Sequence, residues 1–323
     1  MDRNRSVTVA RLALVAAFVV TQRAGHVRAE HLYVQASGSS AGAIYRYALH
    51  NGIPAAKPDF VNSSGLDSPF WVDANGTLYG LAYQAGVPIL EVFAPNRMVA
   101  ERTLMLPAPQ FVSVYVGLVA KGGSVLAEFQ GLDSLQTPPA AASACGSLGF
   151  SSMLVYAPGA KGNDPPLRCF GVPLDPSLGA LGLALDSQGS LYIPNFDSVN
   201  VYRTPVGNPQ FAHSVAGRSF QNVHAVAVDS ADVMYALSSN DYSYVAAYAP
   251  HASGDVLPIR TFAFPTPMKW DGNIAVEGNF VYVGANDEVL VYDKNAHGRT
   301  PPHATLAVAG GSTGAGVYVE VGP

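Results

Sequence analysis

The residue in this sequence with the most chemical scope is His224, which stands at the start of the apolar run Val223 to Val228. A neutral imidazole there can act as a general base or as a metal ligand. A lone histidine is more often a hydrogen-bonded wall residue, because catalysis needs a positioned partner. None of the other histidines has metal-ligand spacing. The sequence also holds no His-Glu-x-x-His zinc motif and no P-loop.

A second group of candidates consists of residues that follow apolar strands. Asn and Asp in such places are turn formers first, because their side chains bond to nearby backbone and tolerate positive φ. Both a binding role and a purely structural role therefore stay open for each of them. The group comprises Gln35, Tyr83, Asn195, Asp197, Asn240, Asn286 and Asp287.

The elements that must position these residues form a repeat. An aromatic residue recurs at the end of an apolar strand, at intervals of 46, 63, 46, 46 and 44 residues. Five intervals define six units, and the third unit is longer than the others. The recurring residues are Tyr47, Phe93, Tyr156, Tyr202, Tyr248 and Tyr292.

Each unit contains further strand patterns around that aromatic residue. A strand such as Leu191 to Ile193 comes before it, and a strand such as Ile259 to Phe262 follows it. A first strand ends in an Asp-x-x-Gly turn, clearest at Asp73 to Gly76 and Asp186 to Gly189. Units of four short strands and 40–50 residues are typical of β-propellers.

The ends of the chain indicate how the ring closes. The first unit begins at its second strand, near Leu32, and the chain ends with a surplus strand from Gly316 to Val321. A C-terminal strand that completes the first unit would remove exposed edges. The sequence therefore predicts an all-β, six-bladed β-propeller of four-stranded antiparallel blades, closed by its C-terminal strand. A β-solenoid or two sandwiches would explain neither feature.

The propeller topology gathers the candidates on one side, which we call the channel face. It carries the loops between the second and third strands and the links from one blade to the next. Residues 130–152, an insertion rich in Ala, Ser, Gly and Pro, fall on this face in the third unit. A loop of that length is usually functional or disordered.

The repeat resembles a known superfamily. Gly182 to Asp186 with Leu191 to Asn195 is similar to the repeat of NHL-type and gluconolactonase-like propellers, and Val155 to Asn163 resembles an exported bacterial variant. The resemblance covers nearly all of residues 31–323. It implies a divalent cation, such as calcium, held at the channel in the enzymes, with Glu320, Asn195 and Asn286 as the available ligands. The surroundings of those ligands are not recognisable here.

Residues 1–29 have the pattern of a signal peptide, which leaves residues 30–323 as a single propeller domain. Arginines precede the nine apolar residues Leu12 to Val20, and Val27-Arg28-Ala29 offers a cleavage site. An uncleaved anchor is the alternative, although nine residues are too few to span a bilayer, which takes roughly 20.

Removal of this segment takes away five arginines and one aspartate, so the mature chain has 13 basic and 22 acidic residues, a net charge of −9. That charge disfavours nucleic acid and anionic membranes as partners. Export would permit a disulfide between Cys145 and Cys169, although two unrelated buried thiols also fit the sequence.

These observations favour a secreted or periplasmic, non-catalytic scaffold that binds a small ligand, a glycan or a protein. They favour no cofactor, no metal site and no membrane span after cleavage. The alternative is a metal-assisted hydrolase or lactonase of the gluconolactonase-like type.

Overall fold

The structure, a computed structural model, describes residues 30–36, 42–107, 113–131, 151–172, 182–217, 220, 222–239, 243–264, 272–308 and 316–323. The proposed signal peptide and most of the insertion lie outside these residues. Within them every regular element is a β-strand.

The strands are short, and their bounds follow in chain order. The first eight are β1 (His31–Ala36), β2 (Ile44–His50), β3 (Ile53–Pro54), β4 (Phe60–Asn62), β5 (Asp67–Val72), β6 (Leu78–Gln84), β7 (Val87–Phe93) and β8 (Arg102–Met105). The next eight are β9 (Ser113–Lys121), β10 (Ser124–Gly131), β11 (Ser151–Tyr156), β12 (Arg168–Gly171), β13 (Ala184–Leu185), β14 (Leu191–Asn195), β15 (Ser198–Arg203) and β16 (Gln210–Ala216). The last ten are β17 (Val223–Val228), β18 (Met234–Ser239), β19 (Ser243–Tyr248), β20 (Gly254–Asp255), β21 (Arg260–Ala263), β22 (Ile274–Glu277), β23 (Phe280–Ala285), β24 (Glu288–Asp293), β25 (Ala304–Ala307) and β26 (Val317–Gly322).

These strands form six antiparallel blades arranged in a ring, which confirms the predicted six-bladed propeller. From the axis outward, blade 1 is β26-β1-β2-β4 with β3 beside β2, and blade 2 is β5-β6-β7-β8. Blades 3 and 4 are β9-β10-β11-β12 and β13-β14-β15-β16. Blades 5 and 6 are β17-β18-β19-β21 and β22-β23-β24-β25.

The C-terminal strand closes the ring, as the surplus strand predicted. In β26, Val321 lies opposite Leu32 and Val319 lies opposite Val34. Val317 and Val319 are fully buried against blade 6. The two ends of the chain therefore share one blade. The inner edge of β1, which would otherwise be unpaired, is covered by β26.

The hydrophobic core is divided among the six interfaces between neighbouring blades, with one buried cluster at each. The recurring aromatic residues of the sequence supply these clusters. Each of the six is at most 6% exposed. The regular spacing in the sequence thus arises because each blade interface contains one of these large aromatic side chains.

The turn between the first and second strands is built around an aspartate. The Asp73 carboxylate accepts hydrogen bonds from the backbone N–H groups of Asn75 and Thr77, both at 2.9 Å. Gly76 completes the turn at φ 79°, where a side chain is disfavoured. Asp186 repeats the arrangement by accepting from Ser190 N at 2.7 Å. Both predicted Asp-x-x-Gly turns are confirmed.

A second device links one blade to the next. In blade 3 the chain turns after Tyr156, and Gly162 then pairs in parallel with Leu104 on the outer strand of blade 2. Met105 N donates to Gly162 O at 2.7 Å, and Gly162 N donates to Thr103 O at the same distance. We call this parallel bridge of a glycine to the outer strand of the preceding blade a clasp. Blades 5 and 6 repeat the clasp with Gly254 and Gly298, which lie six residues after Tyr248 and Tyr292.

Candidate functional site

The antiparallel blades give the ring two distinct faces. The channel face carries the hairpins from second to third strands and the links between blades. The opposite face, called here the turn face, carries the Asp-x-x-Gly turns and the clasps.

Two of the predicted residues are buried in the wall of the ring. Gln35 is 2% exposed, and its Nε2 donates to Leu66 O at 2.7 Å, which ties blade 1 to the link before blade 2. His224 is 3% exposed and sits in a β-bulge between Val223 and Ala225. A bulge re-aims a side chain, which here places the imidazole among other buried groups. Neither side chain is available at the surface.

Two other predicted residues belong to the hairpin between β14 and β15. Asn195 accepts a hydrogen bond from Phe196 N through its own Oδ1 at 2.9 Å, and Asp197 is exposed. The Phe196 carbonyl accepts from Val223 N at 3.1 Å, which joins this hairpin to blade 5. The hairpin therefore lies beside the bulge that holds His224.

The hairpin between β23 and β24 holds two more. Asn286 has φ 53°, the left-handed conformation that asparagine tolerates better than most residues. The Asp287 carbonyl accepts from Val308 N at 3.0 Å. Asn286 and Asp287 therefore form the hairpin turn, which is the structural role that the sequence left open for them. Asn240, another candidate, lies outside the described residues.

Tyr83 is a further predicted residue whose side chain is exposed. It lies near the end of β6 and is 48% exposed. Partial burial, together with the negative charge of Asp67, raises the pKa of its phenol. Phe196, which sequence reasoning missed, is 43% exposed on the same face. Its signal was present in the sequence as a large apolar residue between the two turn formers Asn195 and Asp197.

Near the channel face the inner strands contact one another directly. Asn273 Nδ2 donates to Val319 O at 3.0 Å, and Asn273 Oδ1 accepts from Val319 N at 2.5 Å. Between the neighbouring blades 4 and 5, Gly182 bridges Ala225 in parallel. Asn273, at 4% exposure, was missed because the segment Asp-Gly-Asn resembles an ordinary loop.

The axial cavity opens toward the turn face, on the side opposite to the predicted channel-face residues. It measures about 110 Å³ and is lined mainly by apolar residues from the ends of the inner strands, among them Val72, Leu185 and Val276. Glu320 is the acidic residue in its wall. The apolar surroundings hold the pKa of the Glu320 carboxyl well above its usual range, and no described residue hydrogen-bonds to that carboxyl.

None of the seven predicted channel-face residues that the structure describes lines this cavity. Glu320 contacts the cavity at the turn-face ends of the inner strands, whereas Asn195 and Asn286 lie in hairpins of the channel face. The structure does not bring together the three ligands that the family resemblance implied. Within the described ranges, no three His, Cys, Asp or Glu residues are grouped as metal ligands would be.

The two remaining features concern the cysteines and the membrane. Cys169, in the outer strand of blade 3, is disulfide-bonded. Cys145, the other cysteine of the chain, lies outside the described residues. In the part of the chain that the structure describes, no helix has the length and apolarity needed to cross a bilayer.

Comparisons with known proteins support the fold. A protein of unknown function from Bacteroides caccae superposes with a TM-score of 0.58 at 10% identity, covering 91% of this chain and 98% of that one. A functionally unknown protein from Desulfotomaculum acetoxidans gives 0.51 at 8% identity, covering 88% of this chain and 98% of that one. No family model matches the chain, and no curated protein matches it. At these identities the likeness concerns the fold alone.

Proposed function

We propose that this protein is an exported, non-catalytic propeller of the NHL-like kind, and that it binds a glycan or a protein partner on its channel face. The observation that carries this proposal is the pair of exposed aromatic side chains on that face. Tyr83 and Phe196 are 48% and 43% exposed at the ends of two separate hairpins.

Exposed aromatic residues of this kind are typical of binding surfaces. They provide a large apolar area with few rotatable bonds, and tyrosine adds a polar group. Tyr83 belongs to blade 2 and Phe196 to blade 4, so the two flank blade 3. A partner that contacts both would cover the channel face of three consecutive blades.

Polar groups around these rings would give the contact its specificity. Asp197 is exposed beside Phe196, and Asp67 lies close enough to Tyr83 to raise the pKa of the phenol. Aromatic rings with nearby carboxylates suit hydroxyl-rich sugars or basic and polar protein surfaces. The acidic balance of the chain favours the same partners.

A glycan array and a crosslinking screen against exported proteins would test the proposal on the full-length mature chain. We expect specific binding that the double variant Tyr83→Ala, Phe196→Ala reduces at least tenfold. The matched control is Phe211→Ala, because Phe211 is 56% exposed but lies on β16 near the turn face. That control should bind as the wild type does.

Two outcomes would overturn the proposal. One is binding that survives in the double variant, which would move the site elsewhere. The other is hydrolysis of a sugar lactone that requires added calcium and is lost in Glu320→Gln. That result would favour the alternative, a metal-assisted lactonase.

A further inference from the structure

Three blades share an aspartate–tyrosine pair on the turn face. The phenolic OH donates to the aspartate of the same turn at 3.4 Å in Asp73–Tyr79 and in Asp229–Tyr235, and at 3.5 Å in Asp186–Tyr192. The pairs belong to blades 2, 5 and 4, and the spacing in sequence is the same in each. They can therefore be compared as three copies of one local structure.

In blade 5 this pair meets cations from the chain itself. Lys294, from the turn of blade 6, places its Nζ 2.5 Å from the Asp229 carboxylate. Arg260 lies beside Tyr235, where its charge opposes the rise in the pKa of the phenol caused by burial and by Asp229. Arg260 also donates to Asn295 Oδ1 at 2.8 Å, so it stays in the cleft between the blades.

Blade 2 is filled by an arginine alone, since the residue two after Tyr156 of the next blade is Pro158. Arg102 lies beside Tyr79, and its charge opposes the rise in the pKa of that phenol. The guanidinium donates to Ala160 O of blade 3 at 3.3 Å. Arg102 and Arg260 occupy equivalent places in the sheets, opposite Val92 and Ala247 on the third strands.

Blade 4 lacks both cations. The residue opposite Val201, in the place of the two arginines, is His213, which is shorter. The residue two after the buried Tyr248 is Pro250, where Lys294 follows Tyr292 in the next blade. Burial and the carboxylates of Asp186 and Asp232 raise the pKa of Tyr192 to about 12, and no described cation opposes them.

The missing side chains leave a cleft between blades 4 and 5. Its volume is about 370 Å³, and its lining includes Asp186, Tyr192, Arg203, His213, His251 and Ser253. Small-molecule sites measure roughly 300–1,000 Å³. Among the described residues, no group hydrogen-bonds to the buried His213 Nε2 atom, and none pairs with the guanidinium of Arg203, which is exposed.

We propose that this cleft binds a basic amino acid, whose guanidinium or ammonium group occupies the place that Arg260 and Lys294 fill beside the pair in blade 5. The Asp186 carboxylate and the Tyr192 oxygen receive the cation, which offsets the charge that the fold leaves unpaired there. Arg203, in the cleft wall, binds the α-carboxylate of the ligand. The cleft opens on the turn face, so the proposal is independent of any partner on the channel face.

Calorimetric titration of the full mature chain with L-arginine and L-lysine tests the cation. L-citrulline, which has nearly the shape of arginine without the charge, should bind at least tenfold more weakly. Equal binding of citrulline, or no saturable binding of arginine or lysine at millimolar concentration, would overturn the proposal.

Two variants test the place. His213→Arg restores the residue found in blades 2 and 5, so it should fill the cleft and abolish binding without lowering thermal stability. Asp186→Asn should weaken binding at least tenfold. The control is Asp73→Asn, which alters an equivalent turn at a cleft that is already filled and should leave binding unchanged. Wild-type affinity in a folded His213→Arg variant would overturn the assignment.

A third variant tests the anionic end of the ligand. Arg203→Ala should weaken the binding of arginine but not of agmatine, which lacks the carboxylate. If both ligands weaken equally, or if neither does, Arg203 does not bind the carboxylate and the basic amino acid is the wrong class of ligand.

Discussion

The two faces of the propeller are organised differently. On the turn face, three blades repeat the same aspartate, the same tyrosine and the same backbone hydrogen bonds, and three repeat the glycine clasp. On the channel face each described hairpin has its own contacts, such as the Phe196 carbonyl that joins blade 5. The repeated interactions hold the ring together, and the face without them is free to vary with function.

The role of a repeated residue depends on whether its partners are repeated with it. An aspartate that recurs with the same partners is structural, as Asp73 and Asp229 show. Where one copy lacks the neighbours that the other copies have, the space of the missing side chains is left open. Asp186 accepts the hydrogen bond from the backbone N–H four residues on, as Asp73 and Asp229 do, but the arginine of those copies is absent, and this difference identifies the cleft between blades 4 and 5.

The comparison depends on a closed ring, and the largest expected effect comes from opening it. Deletion of residues 317–323 removes β26, exposes the edge of β1 and uncovers the cluster between blades 6 and 1. We expect a loss of about 5 kcal/mol or more, which is comparable to the whole stability of many domains.

Thermal unfolding followed by circular dichroism measures this loss. Deletion of Pro323 alone is the control, because it shortens the chain but leaves β26 in place. An unchanged thermal midpoint after removal of the whole strand would show that the ring does not need its C-terminal strand.

The next effect compares an aspartate on each face. Asp229 is 7% exposed, accepts two backbone hydrogen bonds and pairs with Lys294. Asp229→Asn should cost about 1–3 kcal/mol, because hydrogen bonds to charged groups are worth more than neutral ones. Asp197→Asn, on the exposed channel-face hairpin, should change stability by less than about 0.5 kcal/mol.

Urea unfolding of both variants under the same conditions measures the difference. Equal costs would mean that the turn face is no more structural than the channel face. A large cost for Asp197 alone would reverse the comparison between the faces.

A third test uses the carboxyl of Glu320 in the axial cavity, whose pKa is raised by burial. The folded protein keeps this proton at pH values where the unfolded chain, with a pKa of about 4.3, has lost it. The free energy of unfolding therefore falls as pH rises from about 4.3 through the higher pKa of the folded state.

Glu320→Gln removes this dependence, so it should raise the thermal midpoint at neutral pH and have little effect near pH 4. Melting curves across that pH range measure it, and Glu30→Gln serves as a control at an exposed glutamate near the start of β1. A Glu320 variant that is no more stable than the wild type at neutral pH would show that the carboxyl is well solvated.

The sequence predicted the fold from features that recur at blade interfaces. The buried aromatic residues, the Asp-x-x-Gly turns and the surplus C-terminal strand all lie where their periodicity placed them. The glycine six residues after the third-strand tyrosine was also readable, but its parallel pairing with the preceding blade depends on how the blades are stacked. Residue types alone do not specify that arrangement.

The site was harder to predict, since burial decides it. His224 and Gln35 are buried in the wall of the ring, while Tyr83 is exposed, although the sequence predicted all three on the same face. The exposure of Phe196 had only a weak signal in the sequence, and the open cleft at His213 became visible only through strand register. A residue that departs from its repeat is informative once the partners of the other copies are known.

The smallest expected effect concerns Asn286, which was a candidate for binding and which the structure places in a hairpin turn at φ 53°. If its role is the turn, Asn286→Gly should leave stability nearly unchanged, because glycine adopts positive φ without steric cost. Asn286→Ala should cost about 1 kcal/mol, since a β-carbon is disfavoured in the left-handed region. Urea unfolding of the two variants distinguishes them. A glycine variant as unstable as the alanine variant would mean that the asparagine side chain itself matters, and Asn286 would then return to the set of channel-face residues to be tested for binding.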